Sequence, residues 1–554
     1  MQSSSLKAHV DWRSEDWKKL PWKKYQRNVF RLQKRIYQAI RRSDFRRARS
    51  LQRLLLHSWS ARCLAVRQVS QDNRGKRTPG VDGVASLTPR QRLAYTRRLQ
   101  NLSHKADDPV RRVYISKPNN PKELRPLGIP TMFQRALQAL VKLALEPAWE
   151  ARFEPNSYGF RPGRSPHDAV AAIFNFIRLK PKFVLDTDIE KCFDRIEHSA
   201  LVEKLSAIQP IAKLVRGWLK AGIVDDGKVL FPQAGTPQGG VISPLLMNVA
   251  LHGLEEHLVK SCSHRNKPGV IRFADDFVVI HEDLDILKAL QEQAEIWLAG
   301  MGLRLKPSKT HIRHTLYEHE GPAGFDFLGF TVRQLPAAKY RTRTYRGKPG
   351  FKTIIRPSEK AQKRHLLKLK DKVRSHRGNS QAALVSTLNP VIRGWANYYR
   401  TCSTAATFGL MDYQVYEKLS RWAAFRHRNK NSGWRYRRYW RRVKDTIVFS
   451  DGTSTLVSYA KTRVYRHTKV KSEKSPFDGD WPYWGARLGR DPSKPTRVVN
   501  LLKRQNGRCA NCGLRFMAED ITEVHHQDRD RLNNRHDNLA LLHGHCHDLV
   551  HSAT

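Results

Sequence analysis

Two short stretches place acids inside otherwise apolar, β-branched runs. They are Val184-Leu185-Asp186-Thr187-Asp188-Ile189 and Ile271-Arg272-Phe273-Ala274-Asp275-Asp276-Phe277-Val278-Val279-Ile280. Such runs read as strands. An ionised carboxylate on a half-buried strand is costly unless it is paired or bound to a cation. Adjacent Asp275 and Asp276 repel each other, and Asp188 nearby would add to the repulsion. Two Mg²⁺ ions held by these carboxylates would remove that cost. They are also what phosphoryl transfer between nucleotides needs, one at the attacking hydroxyl and one at the leaving pyrophosphate. A bare Asp-Asp is more often a solvated turn between strands, so the surrounding sequence has to decide.

Charge points to the partner class. The 554 residues carry 101 Lys+Arg against 50 Asp+Glu, a net +51. That excess repels itself unless a polyanion neutralises it, which favours nucleic acid and argues against an ordinary metabolic enzyme. The length implies several domains. No run approaches the roughly 20 apolar residues that span a bilayer. The start, MQSSSLKAHVDWRSEDWKKL, has charges where a signal peptide needs an apolar stretch. Of seven cysteines, Cys63, Cys192, Cys262 and Cys402 lie singly and three cluster near the end. That spacing suits a reducing cytoplasm and one local metal site rather than a disulfide framework.

The chain divides by composition. Residues 1 to about 75 read as basic helices, followed by a Gly/Pro-rich break at 74–84. Helical and strand patterns then alternate to about 335, with strands expected at 182–190 and 269–281 and a helix at 286–303. Residues 341–376 carry thirteen Lys+Arg and two acids. Residues 421–444 carry ten Lys+Arg and no acid, interleaved with Trp422, Phe425, Trp434, Tyr436, Tyr439 and Trp440. The Pro/Gly/Asp-rich stretch 475–497 reads as a linker before a small terminal module.

Over about residues 80–335 the chain resembles the reverse transcriptases encoded by group II introns. Phe273-Ala274-Asp275-Asp276 is similar to the family's catalytic Tyr-Ala-Asp-Asp turn, with Phe where Tyr is commoner. VLDTDIEKCFDRIEH (184–198) resembles the strand with the first metal aspartate, which falls at Asp188. GTPQGGVISPLLMNVAL (235–251), SYGFRPGRSPHDAV (157–170) and RPLGIPT (125–131) are further family blocks. The resemblance implies that Asp188, Asp275 and Asp276 hold two Mg²⁺ ions for RNA-directed DNA synthesis from dNTPs. It puts Phe193 at the steric gate against the ribose 2′-hydroxyl. It puts Lys117 and Arg125 on the hairpin over the triphosphate, Gln238 against the nascent base pair, and Lys309 near the leaving pyrophosphate.

Residues 360–445 resemble the thumb and maturase segment of the same proteins, most clearly at LNPVIRGWANYYR (388–400). Trp395, Tyr398 and Tyr399 fall on one helical face and read as core. Arg393, Asn397 and Arg400 form a polar set that could face RNA. Arginines interleaved with aromatics, including Arg435, Arg437 and Arg438, suit phosphate contacts and stacking on unpaired bases.

Near the end, Cys509-Ala510-Asn511-Cys512 is answered by His543-Gly544-His545-Cys546. A Cys-x-x-Cys knuckle met by a second close pair is a zinc signature, with Cys509, Cys512, His543 and Cys546 as ligands and His545 as the alternative. The segment resembles an HNH endonuclease. The resemblance implies that His526 is the general base and that His525 and His547 hold a catalytic divalent metal. It makes His551 a further ligand, and Asn538 the residue that pins the His526 loop.

The expected architecture is a multidomain α+β protein. It has a right-hand polymerase with fingers, palm and thumb, a helical basic maturase region and a small zinc-stapled ββα HNH domain. The expected divisions are a basic helical extension (1–79), fingers and palm (80–340), and thumb and maturase (341–445). A DNA-binding region and linker (446–497) and the endonuclease (498–554) follow. The implied partners are group II intron RNA, target DNA and dNTPs, with no membrane. The implied setting is a cytoplasmic ribonucleoprotein, bacterial-type or organellar and nucleoid-associated. Two other classes share some of these features. Intact Asp188, Asp275 and Asp276 argue against a splicing factor with a decayed polymerase. The maturase-like stretch and the terminal module argue against a reverse transcriptase of a defence or diversity-generating system.

Overall fold

The computed structural model describes residues 16–102, 107–117, 120–336, 350–443, 445–492, 494–517, 520–531 and 533–552. The first part of the expected leader region, the basic stretch 341–349 and Lys444 lie outside the described residues, as does the Lys117 side chain.

After the short turn Asp16–Lys19, two amphipathic helices, Trp22–Arg41 and Phe45–His57, and the largely buried helix Trp59–Arg67 open the fold. Their apolar positions, among them Ile36, Leu55 and Val66, join one core with Leu140 of the helix Met132–Glu150 and with palm residues such as Val279. The core therefore crosses the expected boundary at 79/80. The fingers are a four-stranded sheet in the order β2-β1-β4-β5. In it β1 (Val110–Lys117) and β2 (Asn120–Ile129) form an antiparallel hairpin, and β4 (Ile223–Asp225) runs parallel to β1 and antiparallel to β5 (Lys228–Leu230).

The palm sheet has the order β6-β7-β3-β8, all antiparallel, from β3 (Phe183–Asp188), β6 (Gly269–Phe273), β7 (Asp276–His281) and β8 (His311–His314). Both strand expectations hold, and the expected helix spans Leu284–Ala299. Asp283 caps that helix by accepting from Asp285 N at 2.8 Å and Ile286 N at 3.2 Å. A three-stranded sheet, β9 (Phe325–Phe327), β10 (Phe330–Pro336) and β11 (Phe351–Pro357), leads to the thumb. Thumb helices Glu359–Ser375, Gln381–Tyr399 and Ala405–Arg426 close on Leu369, Leu388, Met411 and Trp422. The hairpin β12 (Trp440–Val443) and β13 (Thr446–Phe449) adds Phe449 to that core.

Residues 450–497, most of the expected DNA-binding region and linker, form a strap packed across thumb and palm. Its Tyr459 sits in the thumb core, and its Val470 and Trp484 sit with Ile173 and Val184 of the palm. Asp168, fully buried, anchors it: Oδ1 accepts from Val470 N at 2.8 Å, lies 3.0 Å from His467 Nε2 and bonds Arg487. A buried carboxylate with those partners replaces the exposure that the Pro/Gly composition suggested. The chain ends in the helix Thr496–Arg504, the hairpin β14 (Thr522–His526) and β15 (Leu539–His543), and the helix Gly544–Ser552. These elements share a small core of Leu501, Phe516, Leu539 and Leu541. Among the described residues no helix is long and apolar enough to cross a membrane.

Candidate active site and metal-binding module

The β3–β7 register sets Asp188 directly opposite Asp276, and Asp275 occupies the turn that joins β6 to β7. Side chains two apart on a strand share a face, so Asp186 lies on the Asp188 side. The turn needs a backbone that few residues adopt: Ala274 has φ +60°. It is braced from below. Arg272 Nη1 donates to Ala274 O and to Asn248 Oδ1, both at 3.1 Å, and Asn248 Nδ2 donates to Gly159 O at 2.8 Å. Gly159 must be glycine, because a Cβ there would lie 2.2 Å from Ala274 N.

The charges are crowded. Burial, and then the fields of Asp275 and Asp188, push Asp276 up to about 7. Burial and Asp188 raise Asp275 as well, against Lys309 and Arg125. Lys309 reaches Asp188 from the turn Pro307–Lys309, which is held by Lys306 N donating to Asp188 O at 2.8 Å. Burial opposes the Lys309 charge, yet its bond to Asp188 and the fields of Asp276 and Asp275 lift its pKa. Acids that repel one another this strongly are matched to divalent cations, which fits the carboxylate chemistry of Mg²⁺.

The surrounding residues arrive from three elements. Phe193, in the one-turn helix Cys192–Arg195, is half-buried, with its ring 6.4 Å from and edge-on to Phe160. Gln238 O accepts from Gly128 N of the fingers at 2.6 Å, and Gln238 Nε2 approaches Asp194 Oδ1 at 3.5 Å. Gly239, at φ +118°, lies where a Cβ would sit 2.9 Å from Gly128 O, so the loop lies flat on β2. Arg125 is exposed on β2 opposite Ile115, and Lys117 ends β1. The structure thus brings Asp188, Asp275, Asp276 and Lys309 together, with Arg125 close enough for Asp275 to feel its charge. Sequence reasoning passed over Arg272, although the signal was there: a cation inside an apolar strand next to the paired acids.

On the thumb, Arg393, Arg437 and Arg438 are exposed and Arg435 is half-buried. Arg400 is a correction. It is buried, bonds Thr496 Oγ1 at 3.3 Å and lies 5.1 Å over the Tyr465 ring, so it fastens thumb to strap rather than facing RNA. The reason is its place at the end of Gln381–Tyr399, where Tyr465 N donates to Arg400 O at 3.0 Å. Of the interleaved aromatics, Trp422 and Tyr439 are core, while Phe425 and Tyr436 are exposed. Trp395, Tyr398 and Tyr399 pack into the thumb core as expected, and Trp395 stacks on His365 at 4.8 Å.

The terminal module gathers two clusters whose ligating atoms all lie within 4.8 Å of one another: Cys509, Cys512, His543 and Cys546, and His525, His547 and His551. The first is a three-sulfur, one-nitrogen set of the kind tetrahedral zinc takes. The knuckle closes through Gly513 N donating to Cys509 O at 2.9 Å. His543 turns Nδ1 toward Cys512 Sγ at 3.4 Å, while its Nε2 lies 3.2 Å from Asp520 Oδ2, the outer carboxylate that orients ligating histidines. His545 is no part of that cluster. It is buried, stacks on His543 at 5.1 Å and is pushed down to about 3 by burial and by Arg67. In the second cluster, His547 Nε2 and His551 Nε2 are 3.2 Å apart, and His547 Nδ1 is 2.7 Å from Glu523 Oε2. His525 and His526 are consecutive on β14 and so point to opposite faces. Asn538 pins the intervening loop, with Nδ2 to Asp528 Oδ1 and to Asn533 O, both at 2.8 Å.

Comparison with known families covers much of this frame. Residues 115–332 match the reverse transcriptase (RNA-dependent DNA polymerase) family, residues 17–99 the N-terminal domain of reverse transcriptase, and residues 362–440 the group II intron maturase-specific domain. Protein YkfC of Escherichia coli (strain K12) is 34% identical over 303 residues, 47% of this chain and 77% of its own length. Group II intron-encoded protein LtrA of Lactococcus lactis subsp. cremoris is 36% identical over 179 residues, 32% of this chain and 30% of its own. Maturase-like protein 1 of Euglena gracilis is 26% identical over 379 residues, 68% of this chain and 75% of its own.

Proposed function

The chain belongs to the group II intron-encoded reverse transcriptase and maturase family, and from that premise we propose that Asp188, Asp275 and Asp276 carry its RNA-directed DNA synthesis. The supporting observation is the register that sets Asp188 against Asp276 with Asp275 in the adjoining turn, where burial and then the neighbouring carboxylates raise Asp275 and Asp276. Two Mg²⁺ ions bound there would activate the primer 3′-hydroxyl and steady the leaving pyrophosphate. Lys309 and Arg125 supply positive charge toward the phosphates of the incoming dNTP, with Lys117 at the end of the same hairpin. Phe193 packs where a ribose 2′-hydroxyl would enter, and the Gln238 loop braces the nascent pair against the fingers.

The maturase role rests on binding intron RNA. Exposed Arg393, Arg437 and Arg438, with Arg435, are the proposed phosphate contacts. The terminal module is proposed to be an HNH endonuclease. His526 removes a proton from the attacking water, His525, His547 and His551 hold the divalent ion, and the Cys509 cluster holds structural zinc. Nicking of target DNA would supply the 3′ end that primes cDNA synthesis, in a bacterial-type or organellar ribonucleoprotein.

Asp275→Asn tests the first assignment. Primer extension on an RNA template should be lost while RNA affinity stays within about twofold, since only a metal ligand is removed. Extension at the wild-type rate would place the metal site elsewhere.

A further inference from the structure

A groove of about 800 Å³ lies where palm, thumb and strap meet. It is walled by the palm helix Pro166–Ile177, by β11, by the residues just after the helix Gln381–Tyr399, and by the extended strap segment Val464–Lys469. Its size is in the range of small-molecule and cofactor sites. Its charge is one-sided: Arg466, His467 and Lys469 line it, and no Asp or Glu does among the described residues. Of the nearby acids, Asp168 is fully committed to His467, Arg487, Val470 N and Ser165, and Glu255 accepts from Asn156 N and Nδ2. Arg466 and Lys469 form no ion pair with any described carboxylate, and the polar contact of Lys469 is Asn156 Oδ1 at 3.4 Å. Burial and Arg164 lower Lys469, a strain that an anion would relieve.

Flat groups accompany the cations. The Arg466 guanidinium lies 5.1 Å from the Phe174 ring. Tyr465 is held rigid by Oη donating to Arg490 O at 3.2 Å and by the Arg400 guanidinium over its ring. An arginine–aromatic platform beside a second cation, in a groove of that volume, too small for a duplex, suits a base and its phosphate from a single strand. We propose that this groove holds one unpaired nucleotide of a bound nucleic acid, with the base on Tyr465 and the Arg466–Phe174 pair and the phosphate on Arg466 and Lys469. The proposal rests on the family reading only in taking a nucleic acid to be present.

Photocrosslinking tests it, with the full chain and two probes: a single-stranded RNA carrying 4-thiouridine and a matching DNA carrying 4-thiothymidine. Crosslinks mapped by mass spectrometry should fall on the peptides holding Phe174 and Tyr465, and the probe that gives them names the strand. The double variant Arg466→Ala/Lys469→Ala should cut that yield about tenfold. It should also reduce the single-strand salt slope by roughly 1.4. Arg466→Lys keeps the charge but loses the planar surface, so its yield should fall while its salt slope holds. Thermal unfolding midpoints matching the wild type would separate these losses from misfolding. If both probes crosslink only elsewhere, such as on thumb peptides, the groove is not a nucleotide site and the nucleic-acid reading of the chain still stands. Unchanged groove crosslinks in the double variant would likewise overturn the roles given to the two cations.

Discussion

Arg272 is a cation sealed directly behind the turn that carries Asp275 and Asp276, 3% exposed, with Glu154 and Glu255 contributing to its field. Its two bonds fix the Ala274 carbonyl against Asn248, so it acts as a positioning residue for both acids. Arg272→Lys keeps the charge but cannot reach both acceptors. Its kcat for extension should drop roughly 10- to 100-fold with the KM for dNTP little changed, as small displacements of reacting groups do. A proportionate rise in KM instead would show that the residue serves substrate binding. Glu255 in the same cluster gives a pH prediction. Burial first, then Glu154, push it up to about 7 from 4.5. A raised carboxyl favours the folded state when neutral, so that stability is fully present below pH 4.5 and is lost as pH rises through 7. The loss is of the order of 3 kcal/mol. Glu255→Gln should remove its share, so the gap between urea midpoints at pH 5 and pH 8 should narrow while the raised Asp276 keeps part of it; a variant losing as much as the wild type would refute the assignment. The acids were legible in the sequence because ionised groups in apolar strands are rare enough to demand an explanation. Arg272 met the same test, but its partner Asn248 and the close packing of Gly159 appear only in three dimensions.

Among the elements, β3, β6 and β7 were legible, since their β-branched and aromatic runs are local, while the hairpin β14–β15 was expected only through the HNH resemblance. The strap was not legible. Its Pro, Gly and Asp content matches a linker, and the burial of Tyr459, Val470 and Trp484 depends on surfaces far away in sequence. Arg400 misled for the same reason: a helix-end arginine after an aromatic face looks ready for RNA until the strap crosses it. The terminal hairpin and helix make a sharper prediction because their two clusters have different donors. Cys509→Ser removes one thiolate of the proposed zinc set from a small core, so the module should lose zinc and unfold. His526→Ala should keep zinc and fold yet stop second-strand nicking, since only the proposed base is removed. Nicking by His526→Ala at the normal rate would sink that role. The all-imidazole donor set of His525, His547 and His551 suits borderline ions better than Mg²⁺, so Ni²⁺ should support nicking at lower concentration. Equal half-saturation by Mg²⁺ would point to an oxygen-rich site instead.

At the scale of the whole molecule, the terminal module reads in the sequence as a separable unit, yet in the structure it is docked on the N-terminal helices. Arg67 ends the helix Trp59–Arg67, is 4% exposed and lies 4.9 Å over the Trp22 ring. Its Nη2 pairs with Asp548 Oδ2 at 3.0 Å and its Nε with Asp72 Oδ1 at 3.4 Å. Beside Asp548, Leu549 packs against the large core that those helices share with the palm. The Asp548 side chain is itself 57% exposed, so solvent screens the pair and the apolar contact carries much of the docking. Removing either contact alone should loosen the interface, and removing both should free it. Asp548→Arg/Leu549→Asp sets a cation against Arg67 and a charge against the core, while the Cys509 and His525 clusters stay intact. Trypsin should then cut at Arg490, Lys494 or Arg497 much sooner than in the wild type, with zinc content unchanged. If the module is the proposed nuclease, its docking also holds it at a fixed distance from the polymerase site. In the double variant nicking should therefore persist but scatter over neighbouring positions relative to the start of the cDNA, as an untethered module would. Mapping nick ends on a single target decides the matter: one unchanged position, together with wild-type resistance to trypsin, would mean that something other than the Arg67–Asp548–Leu549 contact holds the module in place.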